Sequence, residues 1–237
     1  VIAVLVDPAA EPSDLSLDLD AAEMHHLRVR RARTGDEVRV LDGAGRRMSG
    51  VLELGSRRAR VRLVSEQRVG RPVPLVLAVG AGDRERFGWL VEKAAELGVT
   101  EVIPLATEHA TEATKRLRGA QLGRLRRRAR EAIKQSLQPW APAVGEPETV
   151  AALCQRPAGE TRWVADPAGG TPPERLAPGP VLIAVGPEGG FTDDERRTLT
   201  EAGFQPIGLG SGVLRFETAA IAAATLALTA RHRGRHG

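Results

Sequence analysis

The chain has 237 residues, 42% apolar and 27% charged, with a formal net charge of +4, which suits a globular protein of one large domain or a small module plus a medium one. Tyrosine is absent and aromatics make up 3% of the chain, so a nucleic-acid surface built on many stacked bases is excluded, and the single cysteine, Cys154, excludes an internal disulfide or a multi-thiolate metal site. No apolar run reaches the roughly 18 to 20 residues that span a bilayer, and the opening stretch lacks a basic region and a cleavage signal, so the expectation is a cytoplasmic protein that is neither secreted nor membrane-embedded.

Residues 1 to about 70 read as short β-runs, VIAVLV, DEVRVLDG, RRMSGVLELG and RRARVRLVSE, separated by turn signals at Gly35, Asp42-Gly43 and Gly55. This spacing predicts a small antiparallel barrel. The first 24 residues carry six acids and no bases, whereas His25 to Arg33 packs four arginines and two histidines into nine positions. The paired His25 and His26 are not a metal motif, because neighbours on a strand point to opposite sides and no Cys or carboxylate cluster accompanies them. The expectation is that one faces the barrel core and the other, with Arg28, Arg30 and Arg31, meets RNA phosphate.

From Pro72 the rhythm changes to buried apolar strands, at 75–80, 101–106, 161–166, 181–186 and 205–210, alternating with helical stretches. That pattern predicts a mainly parallel sheet covered on both faces, with a domain boundary near residue 70. Arg84 to Leu97 has Phe87, Leu90, Val91, Ala94 and Leu97 at helical spacing and stops at Gly98, a C-cap glycine. Lys115 to Lys134 holds nine Lys/Arg against Glu131 alone. Its stripe of Leu122, Leu125, Ala129, Ala132, Ile133 and Leu137 leaves Arg124, Arg127, Arg128 and Arg130 mostly on other faces, either as an RNA-binding surface or as a solvated helix face. Residues 155–180, rich in Pro and Gly, read as loops around one short strand.

Residues 181–228 are the most informative. Gly186-Pro187-Glu188-Gly189-Gly190 follows a buried strand and precedes a helix opened by Thr192 and Glu195, a capping box. Ligands bind at the carboxyl ends of strands in open α/β sheets, and glycines there let backbone approach the ligand. A nucleotide phosphate is disfavoured, because Asp193, Asp194 and Glu195 crowd the first helical turn and no phosphate-loop motif is present. Gly80-Ala81-Gly82 lacks the third glycine of a dinucleotide fingerprint, its place taken by Glu85. A second turn, Gly208 to Gly212, leads to an Ala-rich helix that must pack closely on the sheet or on a second copy of the chain, leaving Arg215, Glu217 and Thr218 at its head for a site.

These blocks, together with HHLRVRRARTGDEV at 25–38, RFGWLVEKAAELGVTEVIPLATE at 86–108, EAIKQS at 131–136, GPEGGFTDDE at 186–195 and LGSGVLRFETAA at 209–220, resemble the ribosomal RNA small subunit methyltransferase E family, uridine-N3 methyltransferases of the knotted SPOUT superfamily. The resemblance spans nearly the whole chain. It implies a PUA-like N-terminal β-barrel (residues 1–70) for RNA binding, a C-terminal α/β trefoil-knot domain (71–237) that uses S-adenosylmethionine, a homodimer, and 16S ribosomal RNA or the small ribosomal subunit as partner, without metal. It places the methyl donor against Leu105, Gly186, Gly189, Gly190, Leu209, Gly210 and Leu214. Glu188 is a candidate for the donor's cationic end or for capping backbone amides, and Thr218 belongs with the cofactor group.

Uridine N3 carries a proton at neutral pH, so methylation there calls for a base and for a cation to stabilise developing negative charge. Glu217 and Arg215 are the candidates; the other reading of the two is a plain Arg–Glu pair that fixes the loop. The chain departs from the family pattern at His109, Lys134 and Gln138, which the resemblance puts on the substrate side. Other readings of the chain are a knotted ribose 2′-O-methyltransferase, disfavoured by the N-terminal barrel, and an RNA-binding ribosome-assembly factor without catalysis.

Overall fold

The computed structural model describes residues 2–235 except 57, 111, 113, 115 and 158–160. Val1, Arg57 and Lys115, which the sequence puts in two of the β-runs and in the basic segment, lie outside the described residues, as do 158–160 of the expected loop region. The chain divides into two compact units, residues 1–71 with 130–141, and residues 72–129 with 142–237.

In the first unit, β1 (Ile2–Leu5), β2 (Ser16–Leu19), β3 (Glu37–Leu41), β4 (Arg46–Leu54) and β5 (Ala59–Arg68) form a small curled sheet in the order β1-β3-β4-β5-β2. Period-two alternation turns Val38 and Val40 of β3 and Met48 and Leu52 of β4 into one core with Val4, Leu17 and Val61. The histidine-arginine block differs from its expected strand. Residues Ala21–Val29 form a helix, α1, whose N-cap Asp20 accepts a hydrogen bond from the Glu23 amide at 2.8 Å. Glu23 and Leu27 are the residues it buries, so neither histidine is a core residue: His25 is exposed and His26 half-buried. Arg28 and Arg30 are exposed, as is Arg31, which follows the helix at φ 55°.

The second unit carries β6 (Leu75–Gly80), β7 (Glu101–Ala106), β8 (Ala143–Val144), β9 (Glu148–Thr149), β10 (Thr161–Gly170), β11 (Val181–Val185) and β12 (Gln205–Ile207). The order is β12-β10-β11-β6-β7-β8, with β9 also on β7, and every pair is parallel. Leu75, Leu77 and Val79 face one core while Val76 and Ala78 face the other, and β11 splits in the same way. Helices α2 (Arg84–Leu97) and α6 (Phe216–Arg235) cover the first face, where Phe87, Leu90 and Val91 meet the buried alanines 219, 220, 223, 224 and 227. The Ala-rich helix thus packs on α2 and the sheet. The other face holds α4 (Val150–Cys154) and α5 (Asp193–Glu201), through Val150, Leu153 and Leu199 with Phe191 and Phe204. Burial pushes the Cys154 thiol above its ordinary pKa, as befits a packing side chain.

Two expectations differ from the structure here. β10 runs on through Pro167 to Gly170, where Gly170 pairs with Ile207 of β12 after an irregular step, so part of the Pro/Gly-rich stretch is strand. Leu137 is not on the apolar stripe of the basic helix α3 (Ala120–Ser136): it lies beyond the helix end at φ 55°, and is exposed. Gly98 does close α2, with φ 79°. No helix among the described residues is long and apolar enough to cross a membrane.

The last turns of α3 belong to the first unit, where Lys134 lies 2.8 Å from the Glu23 carboxylate, the two side chains 11% and 4% exposed. Burial acts to lower the Lys134 pKa, but the hydrogen bonds its ammonium donates to Glu131 and Glu23 outweigh it and the net shift is upward. A raised lysine pKa contributes stability in full below the ordinary lysine value and loses it as pH rises through the folded-state value. Lys134→Met leaves a buried carboxylate without its cation and is expected to lower unfolding free energy by about 3 kcal/mol at neutral pH in urea titrations, with Glu23→Gln in the same chain restoring part of the loss.

Candidate functional site

Four chain segments converge at the carboxyl ends of neighbouring parallel strands in the second unit: 165–167 within β10, the loop 186–191 after β11, the loop 209–214 after β12, and the head of α6. Between them lies a cleft of about 150 Å³, open to solvent. Phe191, Leu209, Leu214 and Phe216 give it apolar walls, Gly186, Gly190 and Gly210 expose backbone, and Asp166 and Glu188 contribute carboxylates. The arginine on its wall, Arg196, is already engaged by Asp193 and the Phe191 carbonyl.

The 186–190 loop is held from three sides. Beneath it, β6 ends in glycine: a Cβ on Gly80 would stand 2.6 Å from the Pro187 ring, and one on Gly82 would collide with the Glu188 carboxylate. The Gly80-Ala81-Gly82 turn therefore seats this loop, a role its sequence did not disclose. From the side, His109 places Nδ1 3.0 Å from the Gly190 carbonyl oxygen, with its ring against Gly189. His109 thus packs on the glycine loop. Ahead of the loop, Thr192 and Glu195 form the expected capping box, and the free oxygen of Glu195 accepts the Glu108 amide at 2.8 Å. Asp193, Asp194 and Glu195 fill the first turn of α5, a negative field unsuited to a phosphate.

The cleft brings together Gly186, Glu188, Gly190, Leu209, Gly210 and Leu214 of the expected cofactor group. Leu105, Gly189 and Thr218 are not on its wall. Leu105 is buried in the second core, where its carbonyl accepts from the Thr114 hydroxyl at 3.2 Å, and Thr218 is exposed on α6. Asp166, Phe191 and Phe216 line the cleft without having been singled out in the sequence; the strand-end position of Asp166 was the available signal.

Arg215 and Glu217 do not pair with each other. Arg215 is exposed, whereas Glu217 is 8% exposed, with Oε1 3.9 Å from Nε of Arg86. Its Oε2 is buried and lacks a hydrogen-bond partner among the described residues. Arg86 also approaches Glu188, Nη1 to Oε1 at 3.6 Å. Along α3, Arg124 and Arg127 are exposed, but Arg128 is half-buried and bonded to Glu92 at 3.1 Å.

A family model described as an RNA methyltransferase domain matches residues 70–228, and one described as an RNA methyltransferase PUA domain matches residues 19–64. The ribosomal RNA small subunit methyltransferase E of Synechocystis is 33% identical over 87% of this chain and 70% of its own length; that of Mycobacterium bovis is 32% identical over 84% and 80%. The crystal structure of the Neisseria gonorrhoeae ribosomal RNA small subunit methyltransferase E, bound to S-adenosyl methionine, superposes with a TM-score of 0.83 at 28% identity, covering 97% of this chain and 98% of that one. A probable rRNA-methyltransferase from Porphyromonas gingivalis gives a TM-score of 0.81 at 29% identity over 98% and 99%. The fold is thus that of the RNA methyltransferases in which a PUA-like module precedes a SPOUT domain. The chain belongs to the ribosomal RNA small subunit methyltransferase E family.

The seating of the 186–190 loop is directly testable. Gly80→Ala is expected to cost about 1–3 kcal/mol of unfolding free energy by overpacking against Pro187. Gly212→Ala, with nothing within 4 Å of the added carbon and no left-handed backbone, changes it by less than about 0.5 kcal/mol in the same assay.

Proposed function

We propose that this protein transfers a methyl group from S-adenosylmethionine to N3 of a uridine in 16S ribosomal RNA. The single observation that carries the reading is the cleft at the strand ends. It has apolar walls for an adenine, glycine backbone for the ribose and ring edges, the carboxylates Asp166 and Glu188 for cationic groups, and an acidic helix start that repels phosphate. This donor set fits a cationic, phosphate-free cofactor. The family relatives, named for small-subunit ribosomal RNA, and the S-adenosyl methionine in the Neisseria structure support the same substrate and donor.

When bound, the donor supplies an electrophilic methyl carbon whose bond to sulfur breaks with the electron pair leaving on the neutral thioether. The chain's own task is to present the base in line, exclude water and handle one proton. Glu217 takes or orients the N3 proton as the nitrogen lone pair forms the new bond to carbon, and Arg215, exposed at the head of α6, faces the charge that spreads onto the flanking carbonyl oxygens. The uridine must be unpaired or extruded for N3 to be reached.

The first seventy residues act as the RNA-binding module, with His25, His26, Arg28, Arg30 and Arg31 presented on and after α1, and residues 71–237 carry donor binding and chemistry. Arg124 and Arg127 add phosphate contacts from α3, and Arg128 contributes less because Glu92 already holds it. A homodimer, in the cytoplasm, completes the reading; Val213, 86% exposed beside the cleft, and Leu226, 39% exposed on α6, are apolar surface that a second copy covers.

Mass mapping of 16S ribosomal RNA from cells with and without the protein tests substrate and reaction together: loss of one N3-methyluridine is expected, and an unchanged pattern or a missing ribose methyl group overturns the reading. Glu217→Gln is expected to lower turnover by about 100-fold or more while donor affinity in calorimetry changes little; equal loss of both would make Glu217 a shaper of the pocket. Arg124→Ala and Arg127→Ala should each weaken RNA binding whatever the sequence and reduce the slope of log affinity against log salt by about 1.

A further inference from the structure

Arg86 opens the 86–108 block and does not line the cleft, yet among the described residues it is the one cation placed between a carboxylate that does and a carboxylate at the head of α6. Its position is set by the local fold: the Asp83 side chain caps α2 by accepting the Arg86 amide at 2.8 Å, and the missing side chain of Gly82 lets Glu188 lie close over the turn. From there the guanidinium stands 3.6 Å from Glu188 and 3.9 Å from Glu217, distances of ion pairing too long for hydrogen bonds. Among the described residues no other cation lies within 4.0 Å of Glu217, although α6 packs against α2, β6, β10 and β11. Arg215, two residues before Glu217, is exposed, and Asp83, Arg84 and Glu85 at the start of α2 are exposed as well.

A guanidinium without hydrogen bonds to either carboxylate is not saturated. Equally, a carboxylate whose side chain is 11% exposed and whose one buried oxygen is unpartnered among the described residues is costly unless something reaches that oxygen during function. The half-exposed guanidinium with donors to spare and the buried carboxylate are adjacent. We propose that Arg86 is a positioning residue for methyl transfer: shared between Glu188 on the donor loop and Glu217 on α6, it holds Glu217 through Oε1 and leaves Oε2 free to accept the proton of the incoming base. The proposal rests on the N3-methyltransferase reading for its chemistry. It adds a physical link between the donor cleft and the proton acceptor, because whatever draws Glu188 toward a ligand cation leaves Arg86 to Glu217.

Two measurements test it. The Nε–H resonance of Arg86, assigned by its loss in R86Q, is expected to move in both E188Q and E217Q in the RNA-free and donor-free protein; movement in one alone or in neither overturns the sharing. In single-turnover methyl transfer at saturating donor, R86Q is expected to lower the rate about tenfold or more while the donor Kd changes less than about threefold, R86K to recover most of the rate, and R86Q to have little further effect in an E217Q background. Parallel loss of rate and donor affinity, multiplying losses in the double variant, or an R86Q chain that no longer folds would make Arg86 a structural residue and overturn the proposal. Absence of methyl transfer by the unsubstituted protein would instead fail the function reading, and the resonance measurement would still decide whether Arg86 is shared.

Discussion

A cleft can form beside the 186–190 loop because β6 ends in residues without side chains. Pro187 and Glu188 occupy the volume that a Cβ at Gly80 or Gly82 would fill, so the strand end and the loop nest backbone to backbone. The neighbouring elements then reinforce that position: His109 from the segment after β7, Glu195 from the first turn of α5, and Arg86 from α2 all bond or pair with this loop or its continuation. Preorganisation of this kind is what a methyl donor requires, since in-line displacement tolerates little misplacement of the reacting atoms.

Much of the second unit was legible because a parallel sheet buried on both faces writes itself as apolar runs, and β6, β7 and β11 keep that signature almost residue for residue. The first unit was legible in its strands but not in α1. Adjacent histidines invite a strand reading, while the signal for a helix was Asp20 three residues before Glu23, a cap whose helix has only Glu23 and Leu27 to bury. The continuation of β10 past Pro167 was hidden because its pairing partner is Ile207, far along the chain. Of the cleft, the glycine loops were readable. Asp166, Phe191 and Phe216 were not singled out, and Arg86 carried no local mark, because its two partners lie 102 and 131 residues away in sequence.

The basic segment shows how formal charge differs from available charge. Arg128 is held by Glu92, Arg130 donates to the carbonyl oxygens of Val6 and Asp42, and Lys134 is enclosed by Glu23 and Glu131. Arg116, Arg118, Arg124 and Arg127 are left exposed, as is Arg126, which pairs with Glu146. A segment that looks uniformly cationic as text spends part of its charge on the fold and presents the remainder from fewer positions, so fewer than nine basic residues carry the expected salt dependence.

Helix α3 is continuous from Ala120 to Ser136, yet its residues divide at 129/130 between the two units, and Ile133 and Ala132 are buried in the portion assigned with the N-terminal sheet. The N-terminal unit is therefore discontinuous in the polypeptide. On the ribosome it is not complete until the stretch ending at Ala141 has emerged, by which point β6, α2 and β7 have already left the tunnel. Severing the chain after Arg71 would leave one fragment with the buried Glu23 carboxylate stripped of its cation, Lys134, an uncompensated charge that the intact chain does not carry.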